Sequence, residues 1–351
     1  MTPTPRNCDI SCDIFCAVVD NYGDAGVCWR LASQLAMEHG WRVRLWIDDP
    51  QPLHRLAPDH ANGPVAVRPW CNPWQAVDPA DVVIEAFACE PPAEYVAAMA
   101  RREPKPTWLN LEYLSAEAWI ATCQGQPSPH PRLPLMKHFF FPGFDAATGG
   151  LLRESDYETR RSTFDEAAFR AEFGLPPRQA DELTISMFAY PHAPLPELLT
   201  ALIRSKRPIS LLLPGAMQVA RHDGALRQFA LPFLPQRRYD EILWACDLNF
   251  VRGEDSFVRA QWAAKPFVWH IYPQDDDAHL VKLGAFLDRH PVGNLLRPFW
   301  HAWNGRGHLD WPAFAATLPA QAVAAKTWQR TLSGLPDLAA ALVQFTGERL
   351  K

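Results

Sequence analysis

From about residue 13 onward, short apolar runs alternate with segments whose apolar residues recur every three or four positions. Strands alternating with helices produce this pattern. Residues 13–19 (DIFCAVV) read as a buried strand, and 27–37 as a helix with Val27, Cys28, Leu31 and Leu35 on one face. Further strand-like runs lie at 42–47, 65–69, 81–88, 107–111 and 137–141. Such alternation builds parallel βαβ units, so this stretch predicts one Rossmann-like domain. A helix over 164–173 then leads into GLPPRQADE, whose glycine, prolines and charges predict a domain boundary. Beyond it the alternation restarts, with strands at 183–189, 209–213, 248–252 and 266–271 and helices at 196–205, 256–264 and 279–288. Residues 312–329 and 336–345 read as two closing helices.

The pattern therefore predicts an α/β protein of two Rossmann-like domains, 1–175 and 176–334, with a helix in 335–351 packing back on the first. Ligands of open α/β sheets sit beyond the carboxyl ends of the strands. Two such domains facing across a cleft favour a nucleotide-dependent enzyme without naming its reaction. A length of 351 residues suits two domains, and 48% hydrophobic against 21% charged residues excludes a disordered chain. The 14 tryptophans are many for this length; scattered over strands and helices, they read as wedges in two cores rather than as a sugar platform.

Charge and cysteine usage narrow the classes further. A net charge of −5 offers no basic field for a phosphate backbone, so no nucleic acid is expected. Eight cysteines form no CxxC pair and no zinc-type array, which points to a reducing compartment, and Cys12 and Cys16 share a strand face as buried thiols. No apolar run reaches the ~18 residues of a membrane span, and MTPTPRNCDISCD lacks a signal-peptide core. A cytoplasmic protein without a membrane partner is expected. Without a G-x-S-x-G elbow, a Walker loop or H-E-x-x-H, the usual hydrolase and P-loop classes drop out.

Two strand-to-helix junctions carry the candidate chemistry. The first is VDNYGDAGV at 19–27, where Gly23 and Gly26 permit a tight turn and close backbone approach. Its G-x-x-G spacing is not the dinucleotide fingerprint, which marks down an NAD enzyme. Asp20 and Asp24 would be awkward beside an anion but suit a cationic acceptor or a group that must lose a proton. The bland alternative is that Asp24 or Asn21 only caps the helix. The second junction is RGEDSFVRAQ at 252–261. Ser256 and the helix N-terminus make a diphosphate seat there, Arg252 a neutralising charge and Glu254 an acceptor for ribose hydroxyls. Capping by Asp255 or Ser256 with an Arg252–Glu254 surface pair is the alternative. Phe188 and Tyr190, two apart at the end of SMFAY, offer faces to a nucleobase, and Phe233 and Gln236 in LPFLPQ complete a base pocket. Asp275, Asp276 and Asp277 read as a solvated helix start rather than a metal set.

These segments resemble the bacterial protein-arginine rhamnosyltransferases that modify translation elongation factor P. The likeness is carried by DIFCAVVDNYGDAGVCWRLA, VVIEAFAC, WLNLEYLSAE, KHFFFPGF, GGLLRE and above all RGEDSFVRAQWAAKPFVWHIYPQDDDAHLVKL. It implies the GT-B fold, dTDP-β-L-rhamnose as donor, an arginine of elongation factor P as acceptor, and inversion at the anomeric carbon; with Arg252 and the Ser256 helix N-terminus to stabilise the leaving dTDP, no metal or other cofactor is expected. By the same resemblance Asp20 is the general base and Asp24 its catalytic partner. Donor contacts fall on Tyr22, Gly23, Phe188, Tyr190, Phe233, Gln236, Arg252, Glu254, Asp255 and Ser256. The chain departs from the family pattern after Tyr190 (PHAPLP) and in a shorter last third. The rival readings are a glycosyltransferase of the same fold with a small-molecule or glycan acceptor, and a non-catalytic binding module for the factor.

Overall fold

The computed structural model describes residues 10–20, 22–70, 74–216 and 220–350. Its elements run β1 (Ser11–Cys16), α1 (Gly23–His39), β2 (Arg42–Ile47), α2 (Gln51–Leu56), β3 (Ala66–Pro69), β4 (Val82–Ala86), α3 (Ala93–Arg101), β5 (Thr107–Leu111), α4 (Ile120–Cys123), β6 (Pro127–Pro129) and β7 (Met136–Phe140). There follow α5 (Tyr157–Ser162), α6 (Glu166–Glu172), β8 (Leu183–Met187), α7 (Leu195–Ile203), β9 (Ile209–Pro214), β10 (Ala220–Asp223), β11 (Leu226–Leu231), α8 (Gln236–Ala245), β12 (Leu248–Arg252), α9 (Asp255–Trp262) and β13 (Phe267–His270). The chain closes with α10 (Ala278–Arg289), α11 (Gly293–Trp303), α12 (Trp311–Ala316), α13 (Leu318–Ser333) and α14 (Leu338–Gly347).

The chain divides into two compact units, 1–155 with 335–351, and 156–334. The first holds a seven-stranded sheet ordered β3-β2-β1-β4-β5-β7-β6, parallel except at β6. In β1, Cys12, Ile14 and Cys16 alternate with Asp13 and Phe15, and all five are buried because the strand is central and covered on both faces. The buried Asp13 carboxylate is fully engaged, by Arg44 (2.6 Å to each oxygen), Trp46 Nε1 (3.0 Å) and the Tyr95 hydroxyl. Phe15 packs with Trp46, Trp108 and Tyr95 in one core cluster. Helix α14 returns to this unit: Gln34 Nε2 donates to its capping residue Asp337 (3.0 Å), and Leu338 N to Leu151 O (3.1 Å).

The second unit holds a six-stranded sheet ordered β10-β11-β9-β8-β12-β13, parallel except at β10. Its boundary differs from the one read in the sequence. Residues 156–175 belong here, since Tyr157, Phe169 and Leu175 are buried in this unit and Phe169 and Leu175 share a core cluster with Leu212 and Ile242. The GLPPRQADE stretch is accordingly an edge of the unit rather than a linker. Its Glu182 is buried between Arg170 (3.2 Å) and Arg227 (2.5 Å). The sequence pattern also passes over the β10–β11 hairpin, α8 and α11. Most tryptophans serve as core wedges: Trp262, Trp300 and Trp303 are among the largest fully buried side chains, and of the 14 only Trp119 is exposed. No helix among the described residues is long and apolar enough to cross a membrane.

Candidate active site

In the first sheet the strand order reverses between β1 and β4, and in the second between β8 and β12. A ligand crevice opens at the carboxyl ends of such a strand pair. The residues singled out in the sequence gather at these two places.

Beyond β1 the chain runs through 17–20 into α1, which begins at Gly23, four residues before the helix read from periodicity. Gly23, Asp24 and Gly26 thus lie in the first helical turn, and none of the three has a left-handed φ. Asp24 is 3% exposed, and its Oδ2 accepts the backbone N–H groups of Val19 (2.8 Å) and Asp20 (2.9 Å). The Tyr113 hydroxyl lies 3.4 Å from its Oδ1. The Asp24 carboxylate therefore ties down the loop that carries Asp20 rather than capping the helix. Asp48 holds the same loop from the end of β2, accepting from Val18 N (2.9 Å). Asp20 is half-buried, and its carbonyl accepts from Gly23 N (2.6 Å). A Cβ on Gly23 would stand 2.8 Å from Asp20 Oδ2. Glycine is needed here for the room it leaves to that carboxylate. Tyr22 is steadied by Arg55, whose Nη1 donates to its hydroxyl (3.1 Å). Asn21 falls outside the described residues.

Sequence reasoning did not single out the aromatic pair beside this loop. Phe87, after β4, stacks on Tyr113, after β5, at 4.2 Å and 11°. Phe87, Ala88 and Glu90 all have positive φ (58°, 55° and 49°), a strained run of the sort that collects at functional sites. Asn110 secures it, accepting from Ala88 N (3.1 Å) and donating to Glu112 Oε1 (2.6 Å). The available signal was positional: EAFAC and NLEYL end two neighbouring parallel strands, β4 beside β1 and β5 beside β4.

In the second unit Arg252 ends β12, and its guanidinium lies over the rings of Phe188 (4.2 Å) and Tyr190 (4.9 Å), which follow β8. It also donates to Ala189 O (3.2 Å). Gly253 takes φ 61°, a left-handed turn that favours glycine, and its carbonyl accepts from Trp269 Nε1 (2.7 Å). The Ser256 hydroxyl donates to Arg252 O (2.5 Å) and accepts from Arg252 N (3.0 Å), closing the turn. What Ser256 offers an anion is its backbone N–H in the first turn of α9, where the i→i−4 ladder has not begun. Asp255 receives Gln236 Nε2 (3.0 Å), so the N-termini of α8 and α9 meet. Below that contact Arg259 of α9 and Asp240 of α8 form a fully buried two-pronged ion pair (2.8 and 2.7 Å). Glu254 is the N-cap residue of α9, and its side chain does not cap the helix. Phe233 lies on the same carboxyl edge, after β11 and in reach of Gly215 beyond β9. Tyr190 N donates to His270 Nδ1 (3.1 Å), and burial, with His192 and Arg252 nearby, holds that imidazole neutral with a pKa of about 3. Among the described residues no three His, Cys, Asp or Glu side chains converge as metal ligands do.

Comparison with known proteins agrees with this geometry. Residues 12–347 match the model of the elongation factor P (EF-P) rhamnosyltransferase EarP. The chain is 46% identical to a protein-arginine rhamnosyltransferase of Pseudomonas aeruginosa, over 97% of this chain and all of that one. A solved structure concerned with EarP-mediated arginine glycosylation of translation elongation factor EF-P superposes with a TM-score of 0.65 at 32% identity, covering 97% of this chain and 99% of that one. The calicheamicin glycosyltransferase CalG4, at 14% identity and TM-score 0.54 over 97% and 99%, shares the fold alone. With two Rossmann-like units, each carrying its candidate residues at a switch point, the chain has the GT-B fold and belongs to the EF-P rhamnosyltransferase (EarP) family of protein-arginine rhamnosyltransferases.

Proposed function

We propose that the chain moves L-rhamnose from dTDP-β-L-rhamnose to an arginine of elongation factor P, inverting the anomeric carbon, with Asp20 as general base. One observation carries the reading: Asp24 spends its carboxylate on the backbone of residues 19 and 20, and Gly23 leaves space for the Asp20 carboxylate beyond β1. An arginine guanidinium has a pKa near ~13.8 against ~3.9 for an ordinary aspartate. That gap of about ten units, or roughly 13 kcal/mol, is too wide for Asp20 to remove a proton before attack. Asp20 instead grips the guanidinium through charge-assisted bonds and aims one nitrogen. As that nitrogen bonds to the anomeric carbon, the bond from carbon to the diphosphate oxygen breaks and the proton passes to Asp20. Asp24 acts through Asp20, not on the substrate.

The donor is assigned to the second unit. Phe188, Tyr190, Phe233 and Gln236 take the base, Glu254 and Asp255 the ribose and its surroundings, and Arg252 with the α9 N-terminus the leaving diphosphate. Those fixed charges do the work that a divalent metal does elsewhere, so activity in EDTA is expected. Tyr22 and Gly23 border the reacting sugar from the first unit's loop. The test is intact-mass and site-mapping mass spectrometry of elongation factor P incubated with the enzyme and dTDP-β-L-rhamnose in EDTA. One deoxyhexose on one arginine is the expected product, and the anomeric configuration by NMR reports inversion. Asp20→Asn should keep dTDP binding and lose about 10²–10⁴-fold in turnover. Undiminished turnover in that variant removes Asp20 from the base role.

A further inference from the structure

The second unit has another concavity, at the opposite edge of its sheet from Arg252 and Phe188. Leu183 opens β8, Asp247 precedes β12 and Pro266 precedes β13, and these residues help line a cavity of about 620 Å³. Much of the rest of its wall is alanine and proline from the α9–β13 turn and from α12 and α13. Four cationic side chains also line it, Arg161, Arg207, Lys265 and Lys326, against the single carboxylate of Asp247.

The charges do not cancel. Asp247 is already held by Arg178, which is not part of the wall, and by Thr184 N (2.9 Å). Arg161 is neutralised by Glu158 (2.6 and 3.1 Å). The Arg207 guanidinium donates to a backbone carbonyl, Asp181 O (2.8 Å), which leaves its charge uncompensated. Lys265 and Lys326 have no ion-pair or side-chain hydrogen-bond partner among the described residues. Lys265 has a structural explanation, because it follows the C-terminal end of α9, where a cation is favoured. That account does not reach Lys326, in the body of α13, or Arg207, just before β9. The start of α13 at Leu318 and Pro319 also faces the cavity and adds to its positive potential.

We propose that this cavity is a second ligand site, for a small organic anion with an apolar body and one or more carboxylate or phosphate groups. Its volume lies within the ~300–1,000 Å³ of small-molecule sites, and its walls combine apolar surface with a few converging charges. Because it stands at the amino ends of the strands, its occupant does not compete for the donor crevice at their carboxyl ends. The assignment is independent of the donor and acceptor proposed above.

The probe is 1-anilinonaphthalene-8-sulfonate, an aromatic body bearing one anionic group, titrated by fluorescence into the full-length protein with and without saturating dTDP. One saturable site that persists with dTDP is expected. Its affinity should fall about tenfold or more in Lys265→Glu and in Lys326→Glu, and stay unchanged in Arg204→Glu, an exposed cation of the same unit outside the cavity wall. Both lysine variants change exposed or half-buried side chains, and circular dichroism establishes that they fold. The proposal is overturned if no such site is found, if dTDP displaces the dye, or if both lysine variants bind it as the parent does. Tighter binding of a hexaglutamate peptide with displacement of the dye would overturn it in favour of an acidic protein segment.

Discussion

Gly23→Ala adds one methyl group and tests whether this glycine serves the helix or the neighbouring carboxylate. On propensity alone the change favours folding: Gly23 is in the first turn of α1 without a left-handed φ, and Ala exceeds Gly there by up to about 1 kcal/mol. The methyl carbon, however, would stand 2.8 Å from Asp20 Oδ2, and ordinary contact begins near 3.4 Å, so the carboxylate must withdraw by about 0.6 Å. Retreat of a side-chain tip is cheap for stability, which should change by no more than about 0.5 kcal/mol overall. It is not cheap for a base that must meet one guanidinium nitrogen, since a misplacement of ~1 Å can cost ~100-fold in rate. A loss of about 10- to 50-fold in kcat is expected, or roughly 1.4–2.3 kcal/mol of transition-state stabilisation. Donor affinity should hold, because the nucleotide contacts proposed above belong to the other unit. Initial rates of rhamnosyl transfer followed by intact mass, paired with Tm and a dTDP titration, separate the two effects. Parental turnover with alanine at 23 would refute the argument, as would a loss of activity that merely tracks a loss of stability.

Asp24→Ala strips the acceptor from two backbone N–H groups and should cost about 2–4 kcal/mol, with turnover falling while dTDP still binds; Asp24→Asn, which keeps an acceptor oxygen, should fall between it and the parent on both readouts. Arg259→Met or Asp240→Leu alone breaks a fully buried pair and should destabilise by about 3–5 kcal/mol, whereas the double variant recovers most of that loss; calorimetry in which the double variant is as unstable as the sum of the singles would refute the pairing energetics. His290 is buried among Phe267, Phe286 and Trp328 with neither ring nitrogen hydrogen-bonded, and burial lowers its pKa to about 4. The unfolded chain takes up this proton near pH 6.5 and the folded one only near 4, so stability should fall by about 2–3 kcal/mol as pH drops through that window. His290→Leu should flatten the slope by one proton, and an unchanged urea-midpoint profile between pH 7 and 4.5 would count against it.

Much of this architecture is legible in the chain because its signal is periodic. Strands β2, β5 and β12 match their predicted runs residue for residue, while β1 starts two residues earlier and ends three earlier than read; central parallel strands bury apolar residues on both faces, which makes them legible. The misses occur where buried positions are polar. Helix α8, QRRYDEILWA, buries Gln236 and Asp240, so its inner face reads as surface. Helix α11 carries Pro298 inside it, which breaks a pattern-based reading. The boundary at 175 shifts for a related reason: Glu182 looks like a charge of a linker, yet it is buried and paired with Arg170 of the preceding helix. Composition identifies charged residues but not the ion pairs that permit their burial.

The two chemistry-bearing junctions share a device that spacing displayed without explaining. Asp20 N donates to the side chain of Asp24 (2.9 Å), and Arg252 N donates to the side chain of Ser256 (3.0 Å), each reaching a residue four positions on. In both, the polar residue sits in the first turn of the helix after a central strand and accepts from the residue that carries the candidate chemistry. From sequence, an oxygen-bearing side chain at a helix start reads equally well as a helix cap or as a ligand contact. Here the observed bond is not a helix cap, because it runs backwards out of the helix into the loop. A helix cap would leave the backbone of Asp20 and Arg252 unheld, whereas a backward bond fixes the backbone from which each side chain projects. Pre-orientation of that kind lowers the entropy lost on meeting a substrate, so a residue four positions from the proposed chemistry is expected to affect its rate.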